Sequence, residues 1–318
     1  MKIKKDGFVV VAGLMLMDII VKPVDETIFI HDTNHVDSIE FLTGGDAMNV
    51  AVNLAKLGES VKASALLGVD AAGTLVQQVL KECGADCSIL KIDPNVTTSV
   101  SIVLTHPDGE RNFACKLDST EHYDASSITD EILDGAKALY IGSMMELPAL
   151  EGGVLASLFA RCRERGVLTA FDAAGSKDCD WMEHMGDILP YTDIFIPSQG
   201  EAVKITGTQD PIASARFLRD HGVCIAGVKL GEKGCYIEDE KSGFFMPCIH
   251  CDNVVDLTGA GDAFMSGFVY GVLQDWPLKK CARFATGMSY STIQSLGAST
   301  HNPTVEKVLE YSSVLEDK

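Results

Sequence analysis

The sequence predicts an α/β fold: a mostly parallel central β-sheet with helices on both faces, plus a small extra β-sheet. Three observations predict it. Short apolar runs alternate with helical patterns along most of the chain, and alternation of this kind places parallel strands between covering helices. Two stretches, within 27–42 and 97–117, break the alternation and read as strands with no helix between them. No Pro/Gly/Ser-rich linker and no internal repeat divides the chain, so residues 1–318 are expected to form one domain.

Composition sets the outer bounds. The 318 residues are 46% hydrophobic and 22% charged, enough to bury a large core. With 26 basic against 45 acidic residues the net charge is −19, which argues against a nucleic-acid or anionic-membrane partner.

The first element is a strand, Phe8–Ala12. The basic start and apolar run around it imitate a signal peptide, but Asp18 interrupts the run and no small-residue cleavage site follows before Pro23. Leu14–Ile20 is too short to span a bilayer, so a cytoplasmic protein is expected. Next comes Gly44-Gly45-Asp46-Ala47-Met48-Asn49, opening a helix that runs to Gly58. Asp46, Asn49 and Asn53 form one polar stripe on it, opposite Ala47, Val50, Ala51, Leu54 and Leu57. Such a stripe is commonly a solvated face. Here it lacks Lys and Glu and starts at a Gly-Gly pair that permits close backbone approach. Asn and Asp also suit directional bonds to hydroxyls, so it is a candidate small-molecule site.

Val61–Leu67 reads as a strand, and the 97–117 stretch carries a Pro107-Asp108-Gly109 turn. Ala138–Ile141 is the next strand. The helix Leu150–Arg165 follows, with Leu150, Val154, Leu155, Leu158 and Cys162 on one face and Gly166 as its stop. Val167–Phe171, Ile194–Ile196, Val223–Lys229 and Gly234–Glu238 complete the strands, and helices at roughly 277–294 and 303–317 close the chain. The ten cysteines are scattered. The sole CxxC, Cys248 to Cys251, has no second close pair to complete a zinc site, which favours reduced thiols.

Residues 255–268, VDLTGAGDAFMSGF, carry the chemistry. The turn Thr258-Gly259-Ala260-Gly261 leads through Asp262 into a segment apolar nearly all round, with Ala263, Gly267 and Gly271 at every fourth position. That pattern is a glycine-rich turn opening a buried helix, whose amide-rich start is an anion site. Asp262 there is either a helix cap or a base that takes a proton from a hydroxyl attacking a phosphoryl group.

The run D-x-T-G-A-G-D-A-F resembles the C-terminal signature of the ribokinase-like (PfkB) family of carbohydrate and nucleoside kinases. G-G-D-A-M-N-V-A-V-N-L-A-K-L-G, continuing to Leu67-Gly68-Val69-Asp70 and Gly73, resembles its N-terminal signature. The resemblance spans about Phe8 to Ser299 and implies a three-layer α/β/α body whose small sheet is a lid. It implies an ATP- and Mg²⁺-dependent kinase with Asp262 as general base and Gly259, Ala260 and Gly261 as the backbone anion hole. Sugar contacts would come from Asp18, Gly44, Gly45, Asp46 and Asn49. Glu146, where some members place a polar contact, is equally readable as a loop acid. Lys229, Gly231 and Gly234 match the family's nucleotide-side loop. Ser198 and Glu201 match its N-x-x-E motif, Ser198 replacing the usual Asn and Glu201 organising metal and water. Asp256 and Thr258 match positions that hold a monovalent cation, K⁺, in some members, with Leu257 replacing a common Thr. Arg111 on a lid strand faces either sugar or solvent. The lid would close over the substrate, and lid strands often pair between subunits, which implies a homodimer.

Acids near the acceptor argue against a phosphorylated or carboxylated substrate, which would require cations. A neutral sugar such as ribose or fructose, phosphorylated on a primary hydroxyl, is the expected acceptor. A nucleoside is the alternative, and Phe41, Phe113 and Tyr123 are the few lid-side aromatics for it. A non-catalytic sugar-binding relative is a third reading. A Rossmann oxidoreductase is disfavoured because Ala12-Gly13-Leu14 supplies one glycine where G-x-G-x-x-G needs three.

Overall fold

The structure, a computed structural model, describes residues 4–107, 110–175 and 178–316. Strand β1 (Phe8–Gly13) is followed by β2 (Leu16–Lys22) and β3 (Ser38–Gly44), then helix α1 (Asp46–Lys56) and β4 (Val61–Ser64). After β5 (Leu66–Leu67) come α2 (Ala71–Glu82), β6 (Lys91–Ile92), β7 (Val100–Thr105) and β8 (Arg111–Lys116). The short helices α3 (Asp118–Glu121) and α4 (Asp130–Gly135) precede β9 (Ala136–Gly142), α5 (Val154–Glu164) and β10 (Leu168–Phe171). Then follow α6 (Trp181–Met185), β11 (Ile194–Phe195), α7 (Gln199–Thr206), α8 (Pro211–Asp220), β12 (Ile225–Lys229), β13 (Cys235–Glu238) and β14 (Gly243–Met246). Helices α9 (Ala260–Leu273), α10 (Leu278–Thr292) and α11 (Val305–Ser312) finish the chain.

The main sheet runs β14-β13-β12-β11-β10-β9-β1-β4. Every pairing from β12 to β4 is parallel, and β13 and β14 add an antiparallel edge. Strand alternation feeds two cores. Val9, Val11, Ala138 and Tyr140 pack with α1, α2, α9 and α10 on one face, and Val10, Ala12, Leu139 and Ile141 pack with α5 and α8 on the other. Both faces are therefore covered, as the sequence predicts.

The apolar faces of α9 and α10 meet closely. A Cβ at Gly267 would lie 2.9 Å from the Ala285 Cα, and one at Gly271 would lie 3.0 Å from the Cys281 Sγ. The small residues at every fourth position of α9 are thus the contact stripe for α10.

A second sheet, ordered β3-β2-β7-β8, stands beside the main one. Its strands differ from expectation. Leu16–Ile20 of the apolar run Leu14–Ile20 belong to β2, which pairs in the second sheet after the chain leaves the main sheet at Gly13 (φ 123°). Apolar content is continuous across that change of sheet, so hydrophobicity does not mark it. Residues 27–37 contain no strand; Asp25 caps a 3₁₀ turn at Glu26–Phe29. The expected strand Val61–Leu67 splits, because Leu66–Leu67 turns away to pair with β6. Helix α5 begins only at Val154, since Gly152 and Gly153 both have positive φ. Asp108 and Gly109 of the expected turn lie outside the described residues.

Candidate active site

Helix α1 starts in a tight place. Gly45 is its N-cap at φ 90°, and a Cβ there would lie 2.4 Å from the Leu14 carbonyl oxygen. A Cβ on Gly44 would lie 1.9 Å from the Asp18 carboxylate. The Gly-Gly pair therefore lets the chain pass directly under Asp18, which sits on β2, opposite Leu42 and Ser101, and not in a loop past the first strand. Burial raises the Asp18 carboxyl to about 6.

The polar stripe of α1 is no solvated face: Asn49 and Asn53 are buried. Asn49 Nδ2 donates to Asp262 Oδ2 at 2.7 Å, across 213 positions of sequence. Asp46 is half-buried, and its Oδ2, itself shut away from solvent, has no hydrogen-bond partner. Its carboxyl is raised well above the usual range by burial, and further by the nearby Asp262 and Asp172.

Asp262 is the third residue of α9, and the N-cap is Gly259, with no side-chain cap bond. The capping role is thus excluded. Gly259 holds φ 75°, and a Cβ there would lie 2.2 Å from the Ala298 Cβ, so only glycine closes this turn. The Ala260 amide donates to the Leu257 carbonyl at 3.3 Å, and the Ala263 amide to the Gly259 carbonyl at 2.8 Å. Burial pushes the Asp262 carboxyl up to about 7. The Asn49 bond and the Lys229 ammonium oppose the rise, while Asp172 and Glu201 reinforce it.

Two residues complete the cluster. Lys229 ends β12 and donates from Nζ to Asp172 Oδ2 at 2.7 Å. Burial works against its charge, but Asp172, Glu201 and Asp262 hold the ammonium well above its ordinary value. A Cβ on Gly261 would be 3.5 Å from that ammonium, so Lys229 sits beside the first turn of α9. Asp172, one residue past β10, is the site residue that sequence reasoning missed. Its signal was an acid directly after a fully buried strand, at the same sheet end as the turn after β12.

Ser198 and Glu201 form a reciprocal capping box at the start of α7: the Ser198 amide donates to Glu201 Oε2 at 2.7 Å, and the Glu201 amide to Ser198 Oγ at 3.4 Å. The Ser198 hydroxyl thus has a capping job. Burial, then Asp172, raises the Glu201 carboxyl. Glu146 is half-buried on the 3₁₀ turn Met144–Glu146 after β9, a turn whose Met144 amide donates to the Asp172 carbonyl at 2.9 Å.

Two cavities flank this cluster. One, of about 650 Å³, is bounded by Lys229, Gly231, Gly234, Gly261, Phe264 and Tyr290, with Cys248 and Cys251 also on its wall. Gly234 (φ 90°) passes so near the Met246 carbonyl that a Cβ would lie 1.9 Å from it. All ten cysteines are free thiols. The other cavity, of about 510 Å³, lies between the second sheet and the loop 254–258, bounded by Asp18, Phe113, Val254, Asp256, Leu257 and Thr258 among others. Four carboxyls (Asp46, Asp172, Glu201, Asp262) therefore crowd about the ammonium of Lys229, and three of them are pushed up by that crowding and burial. Among the described residues no three acidic, histidine or cysteine side chains are placed to ligate one metal ion directly.

A family model for the pfkB family carbohydrate kinases matches residues 6–305. The chain is 24% identical to the ATP-dependent 6-phosphofructokinase of Thermoanaerobacterium thermosaccharolyticum, over 94% of this chain and 92% of that one. It is 26% identical to the cytidine kinase of Thermococcus kodakarensis, over 80% and 89%. A solved structure of Arabidopsis thaliana ribokinase complexed with ribose and ATP superposes with a TM-score of 0.83 at 24% identity, covering 96% of this chain and 99% of that one.

Proposed function

The chain belongs to the pfkB carbohydrate kinase family, and on that premise we propose that it transfers the γ-phosphate of ATP to a primary hydroxyl of a neutral sugar such as ribose or fructose. The observation that carries this reading is the 2.7 Å bond between Asn49 and Asp262. It joins the helix that would hold the acceptor to the helix start that would hold the phosphoryl group.

Asp262 is the general base. Its carboxyl, raised to about 7, is a stronger proton acceptor than an ordinary aspartate and lies close to working pH. Asp18, Asp46 and Asn49 orient the sugar hydroxyls, and Gly44 and Gly45 let the backbone come close enough for them to do so. The first turn of α9, with Lys229 beside it, draws charge off the transferred oxygens. The nucleotide occupies the cavity of about 650 Å³, along Gly231 and Gly234. A bound Mg²⁺ would neutralise phosphate charge, with Asp172 and Glu201 holding it through water. The second sheet acts as the lid, excluding water that would otherwise accept the phosphoryl group.

A nucleoside acceptor is the second reading. The cavity under the second sheet, about 510 Å³, is apolar at Ile20, Val103, Phe113, Val254 and Leu257, which gives a base somewhere to lie beyond the ribose. We place the protein in the cytoplasm as a single kinase domain. We also take it as a homodimer through the lid, supported by the exposed Ile39, Phe41 and Ile102 on that sheet.

ADP release with Mg-ATP across pentoses, ketohexoses, inositol and nucleosides tests the assignment. Turnover with a free sugar supports the first reading, and turnover confined to nucleosides replaces it with the second. No acceptor-dependent turnover would leave a sugar-binding relative that lacks the chemistry.

A further inference from the structure

We propose that Arg111, from the second sheet, supplies within the chain the positive charge that a monovalent cation brings at this position in some relatives, and so pins that sheet to the turn that opens α9. The site is the Asp256 carboxylate, two residues before Thr258. An ionised carboxylate offers about two acceptor directions on each oxygen; here three donors crowd Oδ1 and one reaches Oδ2. Oδ1 accepts from the Thr258 amide at 2.9 Å, the Thr258 hydroxyl at 2.6 Å and Arg111 Nη1 at 3.0 Å. Oδ2 accepts from the Gly297 amide at 3.0 Å.

A potassium ion seated on Oδ1 would have to displace donors, and on either oxygen it would share the carboxylate with a guanidinium of its own sign. Leu257 adds no hydroxyl to help it. The residues present therefore do not fit a bound monovalent cation while Arg111 is in place. The pair is also sheltered: the side chains are only 28% and 11% exposed, so it is screened less than a surface ion pair.

The bridge has a mechanical consequence. Arg111 opens β8, and its partner lies three residues before the Gly259 N-cap of α9, 145 positions away in sequence. One ion pair thus ties the sheet carrying Asp18 to the turn carrying the anion site. Arg111 is accordingly a positioning residue, one that sets the relation of lid to turn without touching the reacting atoms.

The test is thermal unfolding of the whole protein in KCl and in choline chloride at equal ionic strength, for the wild type and Arg111→Gln. The wild type should melt at one midpoint in both salts. Arg111→Gln should melt higher in KCl than in choline, saturably with KCl. Its acceptor-dependent rate in choline should fall and then recover roughly fivefold or more on adding KCl, the scale of a typical coupling between sites. A wild-type protein stabilised saturably by K⁺ would overturn the proposal, and so would an Arg111→Gln protein indifferent to K⁺. Should Arg111→Gln fail to fold, the wild-type melts decide alone, indifference sustaining the proposal and K⁺-specific stabilisation ending it. The rate arm rests on the kinase reading and the melting arm does not, so failure of one is separable from failure of the other.

Discussion

Replacing Asp262 with Asn removes a proton acceptor and a buried charge together, and the two losses act in opposite directions. The folded Asp262 carboxyl titrates near 7, raised from 3.8 mainly by burial. Between those values the folded protein holds a proton that the unfolded chain has released. Stability therefore falls as pH rises from about 4 through about 7, because the native state binds more protons over that window. At about 1.36 kcal/mol for each tenfold change in proton affinity, that rise would cost roughly 4 kcal/mol at pH 8. Asp46, Asp172 and Glu201 share the crowding, so about half, ~2 kcal/mol, is assigned to this one substitution. Asparagine keeps an oxygen for the Asn49 donor and cannot ionise. Asp262→Asn should therefore melt about 1–2 °C above the wild type at pH 5 and about 4 °C above it at pH 8, on the usual scaling for chains of this size. Turnover should fall by about 10³, within the range for loss of a general base. Calorimetry of the metal-free protein at both pH values, with an ADP-release assay alongside, reads both. An Asn variant within tenfold of wild-type turnover would refute the base assignment. A variant no more stable than wild type at pH 8 would refute the account of buried charge.

Three further outcomes are expected. Gly44→Ala places a Cβ 1.9 Å from the Asp18 carboxylate; it should raise the acceptor KM at least tenfold while leaving the ATP KM near wild type, as steady-state kinetics with each substrate varied would show. Gly267→Ala presses a Cβ within 2.9 Å of the Ala285 Cα; overpacking of about 1–3 kcal/mol, less about 1 kcal/mol of regained helix propensity, should lower stability in a urea melt without changing either KM. Ionised Asp18 is the stronger acceptor for sugar hydroxyls, so acceptor affinity should rise as pH climbs through about 6, and Asp18→Asn should abolish that pH dependence in a KM-against-pH series.

The sequence by itself determined the layered α/β body, because period-2 and period-3.6 patterns alternate and each apolar face must find cover. It also determined where the site's backbone bends, since Gly44, Gly45 and Gly259 mark close approaches that side chains would block. Asp262 and Asn49 were legible as candidates from their company in two glycine-led helix starts. Only the tertiary structure decided that these two side chains meet, because 213 intervening positions have to fold before their bond exists. It alone moved Asp18 onto β2, where the chain changes sheet without any change in hydrophobicity. It alone brought in Asp172, whose strand carries no motif and whose role comes from lying beside Lys229. The Arg111 bridge to Asp256 was equally invisible along the chain, because an ion pair between a strand of the second sheet and the turn before α9 depends on distance in space, and no local pattern encodes that.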